Sequence, residues 1–554
     1  MTWAWRKVRA LSDPRFLLAV PFVAGLLLRL RVAWEDVSTS IRTIPDDAFY
    51  YFQISRNIAN GNNASFDGEN LTNGFHPLWV ALLTPMHFFA DDPELAVHLG
   101  LTLGALLGAA TVILVFVIVE RLTANRWAGL AGSTLFAIHP RIVVDSVNGM
   151  ETSVTVFMIA LTTLLFVRLG TRSAGSSRGQ FIWLGVSAGF MVLARTDTIF
   201  ILAVLLLYVA VRERSIAGLW GPVVAGSVAM LVVAPWAIWS LVTFGTVIQV
   251  SGVAVSDLHR QVFLAAHGDA FTTQITQSWD VTRAVFSDAL RQYIAVPKAP
   301  MLLASGIILL LMTAVPLAPH RNRFLRQMGI LLVPVAGMVV MLLFHSAIRW
   351  HVREWYFAPL GFFGAVMFGV MTAYVLGVVA DVSVPGPSDE MKRVFAGWIP
   401  AGAFAAILAA TVVFYGPQRS DDFVVQLPHL QNQLEAARWL EANTPPEARI
   451  GSFNAGILGY FSDRTVVNLD GVVNEDAYHA RRDGMMRQYV CEQEIRYLVD
   501  LGLDRWQSVG CNALSSERFK LLLKVGRPLN YFGGGQVDVL MLVSEPSAVP
   551  PPQP

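Results

Sequence analysis

The chain has 554 residues, 54% of them hydrophobic and only 15% charged, and its mean hydropathy of +0.51 is far above that of a soluble globular domain. Forty-one Lys and Arg offset 40 Asp and Glu to leave a net charge of +1, so no nucleic-acid partner and no disordered acidic tract is expected. A cleaved leader is not expected either, because the apolar run behind the basic lead-in to Phe16 continues without a small-residue cleavage site.

Apolar runs of near-spanning length follow at 16–34, 97–119, 128–140, 153–168, 181–194, 198–211, 222–241, 300–317, 327–344, 357–379 and 395–415, which predicts about eleven transmembrane helices. Basic residues fall in alternate loops: Arg6, Lys7, Arg9 and Arg15, then Arg121 and Arg126, Arg168, Arg172 and Arg178, Arg212 and Arg214, Arg321, Arg323 and Arg326, and Lys392 and Arg393. By the positive-inside rule that side is cytoplasmic, in a cell inner (plasma) membrane, and the N-terminus lies there. The short loops opposite hold only Arg141, Arg195, Arg349 and Arg353, which need a reason of their own. An odd count of spans then puts the hydrophilic segment 416–554 outside.

The stretch 75–90, with Pro77, Pro85 and His87, suits a re-entrant or interfacial segment, which keeps 34–93 outside as one loop. A second outer loop, 244–300, carries Val285, Phe286, Ala289, Leu290, Tyr293 and Ile294 at helical spacing and predicts a helix lying on the membrane surface. Beyond the transmembrane domain (1–415), a helix over 430–441 closes at Pro445-Pro446. Short apolar runs follow at 450–453 and 465–469, with a turn at Asp470-Gly471, so 416–554 is expected to be a small extracytoplasmic α/β domain. Both cysteines, Cys491 and Cys511, lie in it. A bridge would close a loop of ~20 residues and contribute about 3 kcal/mol; two unrelated thiols are the alternative.

The chemistry concentrates just past the first span, in Asp46-Asp47-Ala48-Phe49-Tyr50-Tyr51-Phe52. Adjacent carboxylates repel, which raises one pKa unless a cation offsets it, and such a group serves as a base or a metal ligand. The plainer reading is that Asp46 caps the following helix, which runs with Tyr50, Ile54 and Ile58 along one stripe, Arg56 elsewhere, and Gly61 at its end. His76 closes the loop, as a substrate-orienting or a packed interfacial residue. Arg349, His351 and Arg353 alternate with aromatics as a phosphate-binding segment would, or pair structurally, as Arg353 with Glu354. Arg195 and Asp197 share a turn between spans, as site residues or as an ion pair fixing it. Glu151 is a site candidate or a helix cap.

The segments DDAFYYFQISRNIANG, TNGFHPLW, NGMET, LARTD and GILGYFSDRTVVNLDGVVN, in this order around many spans, resemble prokaryotic protein-mannosyltransferases and arabinofuranosyltransferases of the GT-C superfamily. The resemblance covers nearly the whole chain. It implies a glycosyltransferase that takes a sugar from a polyprenyl-phosphate donor and passes it, with inversion, to a glycan, lipid or protein acceptor on the outer face. Asp46 would be the general base, with Asp47 its partner or the ligand of a divalent metal such as Mg or Mn. Arg349, His351, Arg353 and Arg195 would bind the donor phosphate, and Tyr50, Arg56, His76, Glu151 and Asp197 the substrates. No Trp-Trp-Asp signature is present, so transfer of a whole glycan to asparagine is not expected. The competing class is a transporter or flippase of a lipid-linked glycan, which would set ionisable residues at mid-bilayer rather than on one side. A scaffold protein would leave Asp46 and Asp47 without a role.

Overall fold

The computed structural model describes residues 14–170, 178–213, 219–294, 318–382, 428–501, 519–525 and 537–542. The predicted runs 300–317 and 395–415, Cys511, and Arg6, Lys7, Arg9, Arg172, Arg214, Lys392 and Arg393 lie outside these residues. Every other predicted run folds as a helix, as a backbone in lipid must to satisfy its own hydrogen bonds. Five helices among the described residues are long and apolar enough to cross a membrane: Pro93–Thr123, Thr152–Gly170, Trp220–Phe244, Arg321–Ile348 and Glu354–Gly377. The stretch 75–90 forms only the short helix Pro77–Leu83 and the turn Thr84–Phe88.

Three helices set the frame for the site: α1 (Ala19–Ala33), α2 (Asp46–Ala59) and the long α3 (Pro93–Thr123). Gly100, Gly104 and Gly108 run down one face of α3 and let it close on three neighbours. A Cβ there would lie 2.6 Å from the Phe52 ring, 2.4 Å from the Ser146 carbonyl and 2.6 Å from Arg29 Nε respectively. Fully buried Arg29 of α1 donates to the carbonyls of Ala137 (2.9 Å) and Phe136 (3.4 Å), closing the C-terminal end of α4 (Arg126–Ile138) where its dipole is negative.

The segment after Phe244 makes two helices, α5 (Val250–His267) and α6 (Phe271–Ile294). Three residues of the apolar stripe expected to meet the membrane turn inward instead. Val285 is buried, and Phe286 and Tyr293 pack on the core. Ser278 and Thr282 tie the same helix to Ala347 O (2.7 Å) and Ser346 Oγ (3.0 Å), which fixes that face toward the protein. Phe271, Ile275 and Trp279, about one turn apart, are large apolar residues of this helix that are exposed.

The C-terminal segment folds around a five-stranded sheet of order β2-β1-β3-β5-β4, with β1 (Arg449–Ser452), β2 (Thr465–Asn468), β3 (Tyr497–Leu501), β4 (Phe519–Val525) and β5 (Val537–Leu542). β1 runs parallel to β2 and β3, while β5 is antiparallel to β3 and β4. The crossover from β1 to β2 carries the short helix α7 (Gly456–Phe461), and α8 (Glu475–Arg482) follows β2. The carboxyl ends of β1 and β2 face α2. There the two bodies touch with no slack: a Cβ on Gly456 would lie 2.1 Å from the Asp46 carbonyl, and one on Gly74 2.1 Å from that of Val472.

Candidate active site

Helix α2 starts with Pro45 as N-cap and Asp46 and Asp47 in its first turn, where carboxylates suit the positive end of the dipole. Neither caps α2 itself. Successive helical residues point about 100° apart, and the two acids separate accordingly. Asp46 turns to the C-terminal domain and accepts hydrogen bonds from Gly456 N (3.1 Å) and Ile457 N (2.7 Å), a docking contact rather than the free base or the helix cap expected. Asp47 turns the other way, into a polar cavity with room of about 180 Å³, and no group among the described residues hydrogen-bonds its carboxylate.

That cavity collects Tyr50, His76, Glu151, Arg195, Asp197, Arg349, His351 and Arg353 with Asp47. Arg56 lies elsewhere. Its guanidinium sits 4.7 Å over the Tyr460 ring and donates to Gln53 (2.5 Å), so it packs the joint with α7 instead of meeting a substrate in this cavity.

On the cavity floor Arg195 pairs with Asp197 (2.9 Å) and Glu151 (3.4 Å) and lies 3.7 Å over the Tyr356 ring. His345 completes the network at 2.7 Å from Asp197. Glu151 does not cap its helix: one oxygen meets Arg195 and His76 (3.7 Å), and the other, Oε2, is buried with no hydrogen bond among the described residues. A buried acceptor left open is costly unless a ligand fills it. Arg195 is committed to carboxylates, unlike the two arginines of the loop after residue 348. There Arg349 Nε donates to Ser256 (2.6 Å), and Arg353 makes no ion pair among the described residues. Glu354 pairs with Arg141 (3.4 Å), itself held by Asp145 (3.0 Å), so the Arg353–Glu354 pair considered from sequence does not form. His351 packs at a tilt against His259, with ring centroids 4.5 Å apart and planes at 34°.

Burial raises the Asp47 carboxyl above the usual range, with Arg353 pulling it down and Glu151 pushing it up. Burial also brings Asp46 up to about 7 against its two N–H bonds. Burial opposes ionisation of Asp197 too, yet Arg195 and His345 hold its carboxyl well below the ordinary value. Burial and then Arg353 depress His351, so it acts as a neutral donor or acceptor.

Sequence reasoning passed over Asn454, Asp470, Gln249 and Tyr356, which share the cavity wall. Gln249 accepts from Thr196 (2.7 Å) and reaches His76 Nδ1 (3.3 Å), tying the second outer loop to the first. Asp470 was visible only as a turn residue. Its place after β2 is the signal that mattered.

Two sequence families match parts of the chain. One described as dolichyl-phosphate-mannose-protein mannosyltransferase matches residues 77–239, and a domain of unknown function, DUF8728, matches residues 425–538. No curated protein matches the sequence. Among solved structures, ArnT from Cupriavidus metallidurans bound to undecaprenyl phosphate is similar at 15% identity and a TM-score of 0.56, over 94% of this chain and 97% of that one. The oligosaccharyltransferase AglB from Archaeoglobus fulgidus, in complex with an inhibitory peptide and a dolichol-phosphate, is similar at 14% identity and a TM-score of 0.51, over 92% of this chain and 73% of that one. The chain has the fold of the GT-C membrane glycosyltransferases. At such identities the likeness is one of fold. An A. fulgidus oligosaccharyltransferase structure in complex with Zn and sulfate matches at 16% identity and a TM-score of 0.52, over 87% of this chain and 67% of that one. No three His, Cys, Asp or Glu side chains among the described residues gather to hold a metal ion. Mg or Mn is commonly held by one or two carboxylates with water and substrate phosphate, so the divalent metal raised from sequence stands as a proposal for Asp47 rather than a finding.

Proposed function

We propose that the protein transfers a sugar from a polyprenyl-phosphate donor to an acceptor hydroxyl at the outer face of a cell inner membrane, with inversion, and that Asp47 is the general base. The observation that carries this reading is a carboxylate free of hydrogen-bond partners in the same cavity as two cations, Arg349 and Arg353. The solved neighbours in complex with undecaprenyl phosphate and dolichol-phosphate support the donor class. The positive-inside pattern supports an outward cavity and an extracytoplasmic C-terminal domain.

The acceptor hydroxyl gives its proton to Asp47 as its oxygen bonds to the anomeric carbon. The bond from that carbon to the phosphate oxygen breaks, and the polyprenyl phosphate leaves with the electron pair. Arg349 and Arg353 offset the charge growing on the phosphate, and neutral His351 supplies a hydrogen bond. Glu151 Oε2, open and buried, accepts from a sugar hydroxyl and fixes the ring. Arg195, Asp197 and His345 hold Glu151 and Tyr356 in place rather than meeting phosphate.

The test uses purified protein in nanodiscs, radiolabelled undecaprenyl-phosphate mannose or arabinose, and delipidated envelope glycan. Label should pass into glycan, and Asp47→Asn should lower kcat by at least 10²-fold. Normal turnover by Asp47→Asn refutes the base assignment. Movement of labelled lipid across the bilayer with no transfer would favour the flippase.

A further inference from the structure

Resting on the proposed transfer reaction, we infer that Asp470 of the C-terminal domain is an acceptor-binding residue, and that the acceptor is a neutral polyhydroxylated glycan. The cavity has two walls. Arg349 and Arg353 come from the loop after residue 348, whereas the other wall is built by the C-terminal domain with Asn454 and Asp470. Each is the second residue beyond the carboxyl end of its strand, Asn454 after β1 and Asp470 after β2, and the two strands are adjacent and parallel. In open parallel sheets the crevice at those ends is where ligands sit, because successive loops diverge there and leave backbone and side-chain polar groups facing outward.

The wall is pre-organised. Asp500 in β3 accepts from Asn454 Nδ2 (2.8 Å) and from Phe453 N (2.7 Å), fixing the first loop. Asp470 Oδ1 accepts from Val472 N (2.9 Å), fixing the second. Tyr50 of α2 joins both loops to the helix of the proposed base: its hydroxyl accepts from Ala455 N (3.2 Å) and Asn468 Nδ2 (3.2 Å). A separate observation points to a hydrogen-bond donor as occupant of this cavity, which a sugar hydroxyl supplies: Glu151 Oε2 is buried and unpartnered, in a residue only 1% exposed. Carboxylates accept hydrogen bonds from hydroxyls and repel anions. Asp47 and Asp470 both line the cavity, and whether protonated or ionised each can hydrogen-bond a sugar hydroxyl, while neither attracts the charge of a uronate or phosphorylated acceptor.

The experiment compares the wild type with Asp470→Asn and Asp470→Glu, as full-length protein in nanodiscs. With undecaprenyl-phosphate mannose as donor and neutral envelope glycan as acceptor, Asp470→Asn should raise the acceptor KM about 10- to 100-fold while the donor KM moves less than twofold. Asp470→Glu, which keeps the charge, should recover part of the loss. Equal shifts in both KM values, or none, overturn the inference. Equilibrium binding of fluorescent neutral oligosaccharides of mannose and arabinose checks it without turnover. The wild type should bind at least one of them 10-fold more tightly than Asp470→Asn does. Tighter wild-type binding of an oxidised, uronate-bearing version also overturns it. If binding depends on Asp470 but no polyprenyl donor is consumed, the proposed reaction fails and the Asp470 site stands.

Discussion

The neighbours Asp46 and Asp47 should separate cleanly when each is neutralised. The Asp46 carboxylate takes two backbone N–H groups at the start of α7, at 2.7 and 3.1 Å, across the joint between the membrane helices and the C-terminal domain. Asp46→Ala leaves both donors without a partner. An orphaned donor costs about 1–3 kcal/mol, so the sum is roughly 2–6 kcal/mol, with the lower end expected if water enters. Asp46→Asn keeps one acceptor oxygen but turns its NH₂ toward the second donor, and should cost about 1–2 kcal/mol. Asp47 hydrogen-bonds nothing among the described residues and burial disfavours its charge, so Asp47→Asn should leave stability within about 0.5 kcal/mol or raise it. Thermal unfolding of the full-length protein in detergent reads the first effect, and single-turnover transfer from a polyprenyl-phosphate sugar reads the second. Asp46 variants should unfold early and keep measurable chemistry while folded; Asp47→Asn should unfold normally and lose it. An Asp46→Asn protein of unchanged stability and no turnover, beside an active Asp47→Asn, would refute the division of roles.

The pH dependence carries a sign that depends on Asp47. Its carboxyl is raised by burial and lowered by Arg353, so the acid limb of kcat should lie above the ordinary aspartate value, move further up in Arg353→Ala and move down in Glu151→Gln; a pH–rate profile that does not move in either variant rejects the assignment. Asp470 is raised by burial to about 7 in the folded protein, so the native state holds the extra proton and stability should fall as pH rises from about 4 to about 7. Asp470→Asn should flatten that fall and gain roughly 1–4 kcal/mol at pH 8, read as the difference between melting curves at pH 5 and pH 8. Gly456→Ala would set a methyl 2.1 Å from the Asp46 carbonyl, which backbone cannot absorb without moving. The joint should open, with a loss of about 1–3 kcal/mol and a new protease-sensitive site between α2 and α7. Arg29→Ala should cost a similar amount by exposing the last carbonyls of α4, as seen in urea unfolding, and Arg29→Lys should restore only part because one ammonium cannot span both.

Much of this arrangement is legible in the chain, and the residues that are not legible share one physical cause. Span positions follow from apolar length, and the outer arginines stand out because the positive-inside rule leaves them unexplained; Arg349 and Arg353 do reach the cavity. Arg141 and Arg195 carry the same sequence signal and turn out to be held by carboxylates. Periodicity marks an apolar stripe on α6 but not which neighbour it meets, and hydrogen bonds from Ser278 and Thr282 turned it inward. The order of Asp46 and Asp47 hid for a related reason. One residue of helical rotation sends two identical side chains to different partners, and the partner that claims Asp46 is a pair of amides more than 400 positions away in the chain. Such a contact has no local signature on the acid, but it has one on the other side. Gly456 sits where any side chain would collide with the Asp46 carbonyl, and Gly74 does the same beneath Val472. Glycines on both sides, Gly456 and Gly74, thus mark the seam where α2 and its loop press against the C-terminal sheet, and the second residue beyond the β2 end at that seam is Asp470.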